Sequence, residues 1–302
     1  MVDASRGARD IHATIARHAW LPAVLLTAAM LCMGGNITVG RAVSPEVPPV
    51  ALTFWRCLLA ALIMLPFVYR RLVAQLGLLR ENWRVILALG ALWAVAGHAL
   101  TYTALLTTTA ISASVIAATQ PALTVLVAWL LLRDGISGLQ GAGLVLALIG
   151  ASAIAVKGDL HMLYGLDLAT GDLLIALSML GFAVYNVLVT KTSRELDPFV
   201  MVTVIMLCGG AILLPLYGAE AVLDDRAFVL RPATVGAVLY TAVFASIGAV
   251  VLMNLGIQHV GPGMASMFVN LIPVFTTVLA ITFLNETFRL YLAAGIVMVV
   301  LG

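Results

Sequence analysis

The sequence predicts an all-α integral membrane protein with ten transmembrane helices arranged as two inverted five-helix repeats. Three observations carry this reading: an apolar composition, ten apolar runs near spanning length, and a residue pattern written twice. Of 302 residues, 63% are hydrophobic and 10% charged. A soluble domain carries about 25% charge, so this chain cannot build a water-facing surface, and its partner is a lipid bilayer. The net charge is +2 and the basic residues are scattered, so nothing suggests nucleic acid.

A helix that crosses lipid needs about 20 mostly apolar residues. Such runs fall near 21–40, 50–69, 84–106, 110–132, 139–157, 170–190, 199–217, 233–256, 262–284 and 288–302. The connections are short, so sequential neighbours run antiparallel and no soluble domain fits between them. The tenth run stops at Gly302, short of a full crossing, and the natural protein is expected to continue. The first twenty residues are polar and basic and lack the apolar core of a signal peptide, so 1–20 reads as a cytoplasmic tail. Lys and Arg favour cytoplasmic loops. Arg6, Arg9, Arg17, Arg70, Arg71, Arg80, Arg84, Arg133, Lys191 and Arg194 fall on one side, against Arg41, Lys157, Arg226, Arg231 and Arg289 on the other. The first side is therefore read as cytoplasmic, in a cell inner (plasma) membrane. Cys32, Cys57 and Cys208 lie in apolar runs without metal or redox spacing and read as packing residues.

The repeat appears when the chain is slid by 152. Ala113, Ser114, Pro121, Thr124, Ala128, Leu132, Gly143 and Gly150 then meet identical residues, and Asp134 meets Glu286. A slide of 149 matches Pro49 with Pro198 and Leu65-Pro66 with Leu214-Pro215. Repeat one takes 21–157 and repeat two 168–302. Five spans are an odd number, so the second repeat enters from the opposite face. Inverted repeats are typical of secondary transporters, whose substrate site lies between the halves near the midplane. Pro121 and Pro273 are expected to kink their helices and free a carbonyl.

Several stretches resemble a known family. "NLIPVFTTVLAITFLNETFRLYLAAGIVMVVLG" carries Pro273, Glu286, Gly295 and Gly302, and the first half repeats the pattern with Pro121, Asp134, Gly143 and Gly150. "PPVALTFWRCLLAAL", with Arg56, and "MGGNITVGRAV", with Gly35-Asn36, complete the likeness. The chain resembles EamA-type proteins of the drug/metabolite transporter superfamily, within it the YddG-like amino acid exporters. The resemblance implies ten helices, two EamA repeats and export of small metabolites or drugs. Asp134 in place of the usual Glu, and Met33 where Trp is common, depart from the pattern.

Polar groups inside a span are costly, so each is a candidate. His98 and Tyr102 share one face of the third span, for ligand contact or for an interhelical hydrogen bond. Gln120 precedes Pro121, and Asn270 stands three residues before Pro273. Asn36 follows Gly34-Gly35, and the 149 slide pairs it with Tyr185, beside Asn186. These seven are the candidate substrate-binding residues. Asn254 and Gln258 suit an inner gate or simply a helix end. Arg56 reads as structural, snorkelling outward or binding a carboxylate. Trp93 and Trp129 could line a cavity or face lipid, while Trp20 and Trp55 suit the interface. Ala110, Ser114 and Ala118 form a small-residue stripe for close packing.

No Walker loop, H-E-x-x-H or G-x-S-x-G occurs, and no Asp or Glu lies near the middle of a span. No catalytic residue, metal or cofactor is therefore expected, and the oligomeric state stays open. A membrane-embedded enzyme would need His, Asp, Ser or Cys clustered at one depth, and none can be assembled. A secondary transporter for small neutral or zwitterionic metabolites, amino acids first, fits best. Aromatic or quaternary cations come second, and a channel remains further off.

Overall fold

The computed structural model describes residues 20–133, 138–155, 170–192, 196–224, 226 and 228–301. The tail through residue 19, Asp134, Lys157, Asp167 and Gly302 lie outside them. The described residues that take regular structure are helical. In chain order the helices are α1 (Leu21–Val43), α2 (Pro49–Ala74), α3 (Leu76–Glu81), α4 (Trp83–Ala104), α5 (Ala110–Ala117) and α6 (Gln120–Leu132). There follow α7 (Gly138–Ala155), α8 (Thr170–Thr192), α9 (Pro198–Leu223), α10 (Pro232–Gly261), α11 (Leu271–Leu284) and α12 (Leu290–Leu301).

Among the described residues, seven stretches are long and apolar enough to cross a membrane: α1, α2, α4, α5 with α6, α8, α9 and α10. Gly141–Gly150 and α11 are apolar but shorter, so ten full-length crossings is more than these helices supply by length. Two expected boundaries move for identifiable reasons. The run expected to end at 217 continues to Leu223, because Glu220 on that last turn has backbone partners at the start of α2. The run expected at 262–284 is not one helix. Helix continues past α10 to Phe268 across a non-helical Gly261 (φ 81°), breaks at Val269–Asn270, and restarts as α11.

The prolines act differently from a mid-helix kink. Pro121 and Pro273 both stand in the first turn of a new helix, where the missing N–H has no intrahelical partner to lose. The chain has already broken at Ala118–Thr119 and at Val269–Asn270. Pro66 and Pro215, by contrast, lie inside α2 and α9.

Features of the two halves correspond in the backbone. α4 opens into π-helical turns over Leu92–Ala99, and α10 does so over Tyr240–Gly248. α6 ends on Arg133 and α11 on Asn285, each in the left-handed region (φ 57° and 54°). Helix packing follows the same exchange. α1 packs on α10 and α11, while α8 packs on α4 and α6; α2 packs on α9 and α7 on α12. Exchanging first-half helices for their second-half counterparts reproduces this set of pairs.

One core cluster joins α1, α2, the end of α4, α5, α8 and α11 through Ile37, Leu52, Leu105, Ile111, Ile116, Ile175 and Ala280, all buried. Ala110, Ser114 and Ala118 are buried in α5 and its terminal turn, where it meets α11. The opposite surface carries exposed Leu130, Leu177, Leu214, Phe244 and Phe283. Large apolar side chains pointing out all round suit a solvent of lipid.

Candidate functional site

A cavity of about 260 Å³ opens between the halves. Its walls come from α1 (Met33, Asn36), α2 (Arg56), α4 (Trp93, His98), α8 (Phe182, Tyr185, Asn186) and α10 (Ala245, Ser246). Gln120, at the start of α6, adds a polar group. Both π-helical stretches face it, supplying Trp93 and His98 on one side and Ser246 on the other. A π turn shifts the faces on either side of it and is common at functional sites.

Arg56 organises the polar wall. It is 2% exposed, and its guanidinium turns inward to protein partners instead of snorkelling outward. Its Nε donates to Ser246 Oγ at 2.7 Å. Its Nη1 donates to Tyr102 Oη at 2.8 Å, approaches His98 Nδ1 at 3.1 Å and reaches Asn36 Oδ1 at 3.3 Å. Tyr102 in turn donates to Asn36 Oδ1 at 2.7 Å. Arg can only donate, so His98 Nδ1 accepts and the ring is neutral with its proton on Nε2. Trp93 lies under the guanidinium, 5.4 Å from ring centroid to Cζ, and its edge meets His98 at 4.4 Å between centroids. Phe182 meets the other side of His98 at 5.0 Å.

Two close approaches hold this wall. A Cβ on Gly40 would sit 2.7 Å from the ring of Tyr102, and one on Gly97 would sit 2.6 Å from the ring of Phe182. Ser178 bridges α8 to α4, sharing a 2.7 Å hydrogen bond with Thr101 and donating to the Gly97 carbonyl at 2.7 Å.

Asn36, Arg56 and His98 lie within seven residues of the same ends of α1, α2 and α4. That is about 10 Å below one face at a rise of 1.5 Å per residue. Asn186 lies six residues from the opposite end of α8, about 9 Å.

Of the seven candidate residues, Asn36, His98, Gln120, Tyr185 and Asn186 line this one cavity. Tyr102 is buried behind Asn36 and Arg56. Asn270, at the break between helices, does not line it, although Val269 and Ile272 do. Asn254 is half-buried, Gln258 is exposed, and neither lines the cavity. Trp93 is a wall residue, while Trp129 is 47% exposed on the outer surface. Phe182 and Ser246 were not legible from sequence. A serine and a phenylalanine in an apolar run carry no signal of their own, although a Ser donating to the carbonyl five residues earlier, as Ser246 does to Thr241, marks a π turn.

The EamA-like transporter family model matches this chain twice, over residues 20–156 and 169–302. The chain belongs to the EamA-like transporter family. An "Uncharacterized transporter YyaM" from Bacillus subtilis (strain 168) is 24% identical, over 92% of this chain and 91% of its own length. An "Uncharacterized transporter" from Archaeoglobus fulgidus is 26% identical, over 92% and 94%. A solved crystal structure shares the fold at a TM-score of 0.61 and 17% identity, over 92% of this chain and 93% of that one. This EamA-like protein is thus a multi-pass membrane transporter.

Proposed function

We propose that this EamA-like transporter is a facilitator that lets small metabolites, amino acids first, leave the cell through the central cavity. In this reading the chain spans the inner membrane as two inverted repeats of five, at 21–157 and 168–302, with its N-terminus in the cytoplasm. The observation that carries it is a cavity shared by both halves, walled by neutral hydrogen-bonding groups and aromatic rings around one arginine. The exchange relation among helix pairs and the paired π turns support the inverted repeat. Ligand pockets run from about 300 to 1,000 Å³, so a space of about 260 Å³ suits a small metabolite and crowds a nucleotide sugar. Aromatic or quaternary cations fit less well, because Arg56 opposes them.

Uphill transport by protons would use an intramembrane acid or histidine. His98 accepts from Arg56. A second ring proton there would break that bond and set a cation against a cation, so His98 serves as an acceptor and not a carrier. The test is flux in proteoliposomes carrying a fixed amino acid gradient. Initial rates should match with and without an imposed pH gradient, and nothing should accumulate above equilibrium. Accumulation that requires the pH gradient and disappears in His98→Ala would reject the facilitator.

A further inference from the structure

Arg56 is buried without a counter-charge. The ion pairs among the described residues are Arg71 with Asp197, Arg226 with Asp224 and Arg231 with Glu46, none of them near it. Every group that Arg56 contacts is neutral: Ser246, Asn36, His98 and Tyr102. A buried ion without a partner of opposite sign is expensive, so a guanidinium kept only for packing would be better replaced by an apolar or amide side chain. Its donors are also incompletely used. Nε and Nη1 are engaged, while Nη2 has no hydrogen-bond partner among the described residues. The same holds for Asn36 Nδ2, since Oδ1 takes both of that residue's bonds. Neither nitrogen is sealed from the cavity: among the described residues, the sealed side-chain polar atom lacking a partner is Thr277 Oγ1.

We propose that Arg56 is the carboxylate anchor of the transport site. The substrate's carboxylate takes Nη2, with Asn36 Nδ2 as the neighbouring donor, and brings the negative charge that the wall lacks. One cation is matched by one carboxylate, whereas a phosphate dianion would leave an excess charge in a low-dielectric space. The apolar body of the substrate lies against Trp93 and Phe182. Trp93 also lies under the guanidinium and attracts its charge through the ring face. The inference rests on the reading of this cavity as the transport site. It adds that the carboxyl end is the part recognised, whatever the other end carries.

The experiment is isothermal titration of the purified full-length protein with three probes: L-phenylalanine, 3-phenylpropionate and 2-phenylethylamine. They share a ring and differ in which charged ends they keep. A charge-assisted hydrogen bond of roughly 1.5–3 kcal/mol corresponds to about a ten- to hundred-fold change in affinity. Both carboxylates should bind, and the amine should bind weaker by about that factor. In Arg56→Gln the preference should collapse towards equality, while Arg56→Lys should keep its direction at reduced size. If Arg56→Gln does not fold, the wild-type ratio and Arg56→Lys decide. The anchor is overturned if the amine matches the acids, if neither acid binds, or if Arg56→Gln keeps the preference. Binding of 3-phenylpropionate without L-phenylalanine would leave the anchor standing and remove amino acids as the substrate.

Discussion

The two ends of the molecule are fastened very differently. At the end bearing residues 44–48, 105–109 and 285–289, polar ties cross from helix to helix. Arg41 donates to the carbonyls of Leu105 and Leu106 at 2.6 and 3.3 Å. Glu286 accepts from the backbone of Ala110 and Ile111, and Glu220 from that of Val50 and Ala51, at 2.8–3.1 Å. Arg226 reaches the Ser44 carbonyl, Arg231 pairs with Glu46, and Thr108 with Asp172. Beneath these ties Val47, Leu52, Leu105 and Ile111 are buried in one apolar cluster. At the other end, Arg71 and Gln75 tie to Asp197. Carboxylates on helix N-termini satisfy orphan N–H groups and the helix dipole together, so the first end is tied at several points, which favours entry to the cavity from the second.

The comparison predicts unequal effects. Glu286→Ala should be the largest. Losing two charge-assisted bonds of roughly 1.5–3 kcal/mol each shifts the tied end by up to about a hundred- to ten-thousand-fold. A cysteine at Met33, in a chain lacking Cys32, Cys57 and Cys208, should then react far faster with an impermeant thiol reagent applied at that end. Glu286→Gln, which keeps an acceptor, should show a smaller rise. Gly97→Ala acts on the cavity instead. Its methyl meets Phe182 at 2.6 Å, an overpacking cost of roughly 1–3 kcal/mol. Transport should fall several-fold with thiol access at the tied end unchanged.

Arg71→Ala should do little, because its pair with Asp197 is open to water at 60% and 21% side-chain exposure. Such pairs contribute about 0–1 kcal/mol, and flux should stay within a factor of about two. Smallest of all is the acid dependence of the tied end. Hydrogen bonds from Arg226 hold the Asp224 carboxyl below its ordinary value of 3.8. A depressed folded-state value means the contribution is complete above the ordinary value and lost only as pH falls through the lower one. Asp224→Asn should therefore lower the unfolding midpoint equally at about pH 7.5 and about pH 5.5, and converge on the wild type only below about pH 4.

Much of this was legible because lipid makes sequence speak plainly. A polar residue in an apolar run needs a reason, and that picked out Asn36, His98, Gln120, Tyr185 and Asn186, which the fold brings to one cavity. The paired prolines marked matched places, although what they mark is helix restarts and not kinks. Arg56 was ambiguous at two turns' depth. What holds it inward includes Ser246, 190 positions away, and no local pattern reports a contact at that separation. Glu220 was missed because hydropathy alone ended its span at 217. The offset of 149 that places it opposite Arg71 was the available clue, since each sits at the end of its helix and binds at the start of the other's. The π turns over Leu92–Ala99 and Tyr240–Gly248 left no composition signal, both lying in ordinary apolar runs.

The most direct measurement is the sidedness of access to Asn186, replaced by cysteine in the chain without native thiols, before any substrate is added. An impermeant thiol reagent is applied to one face at a time. The account predicts fast modification from the Arg71 face and little from the Glu286 face. Equal rates, or faster modification from the Glu286 face, would contradict a cavity that is closed at the tied end and open at the other.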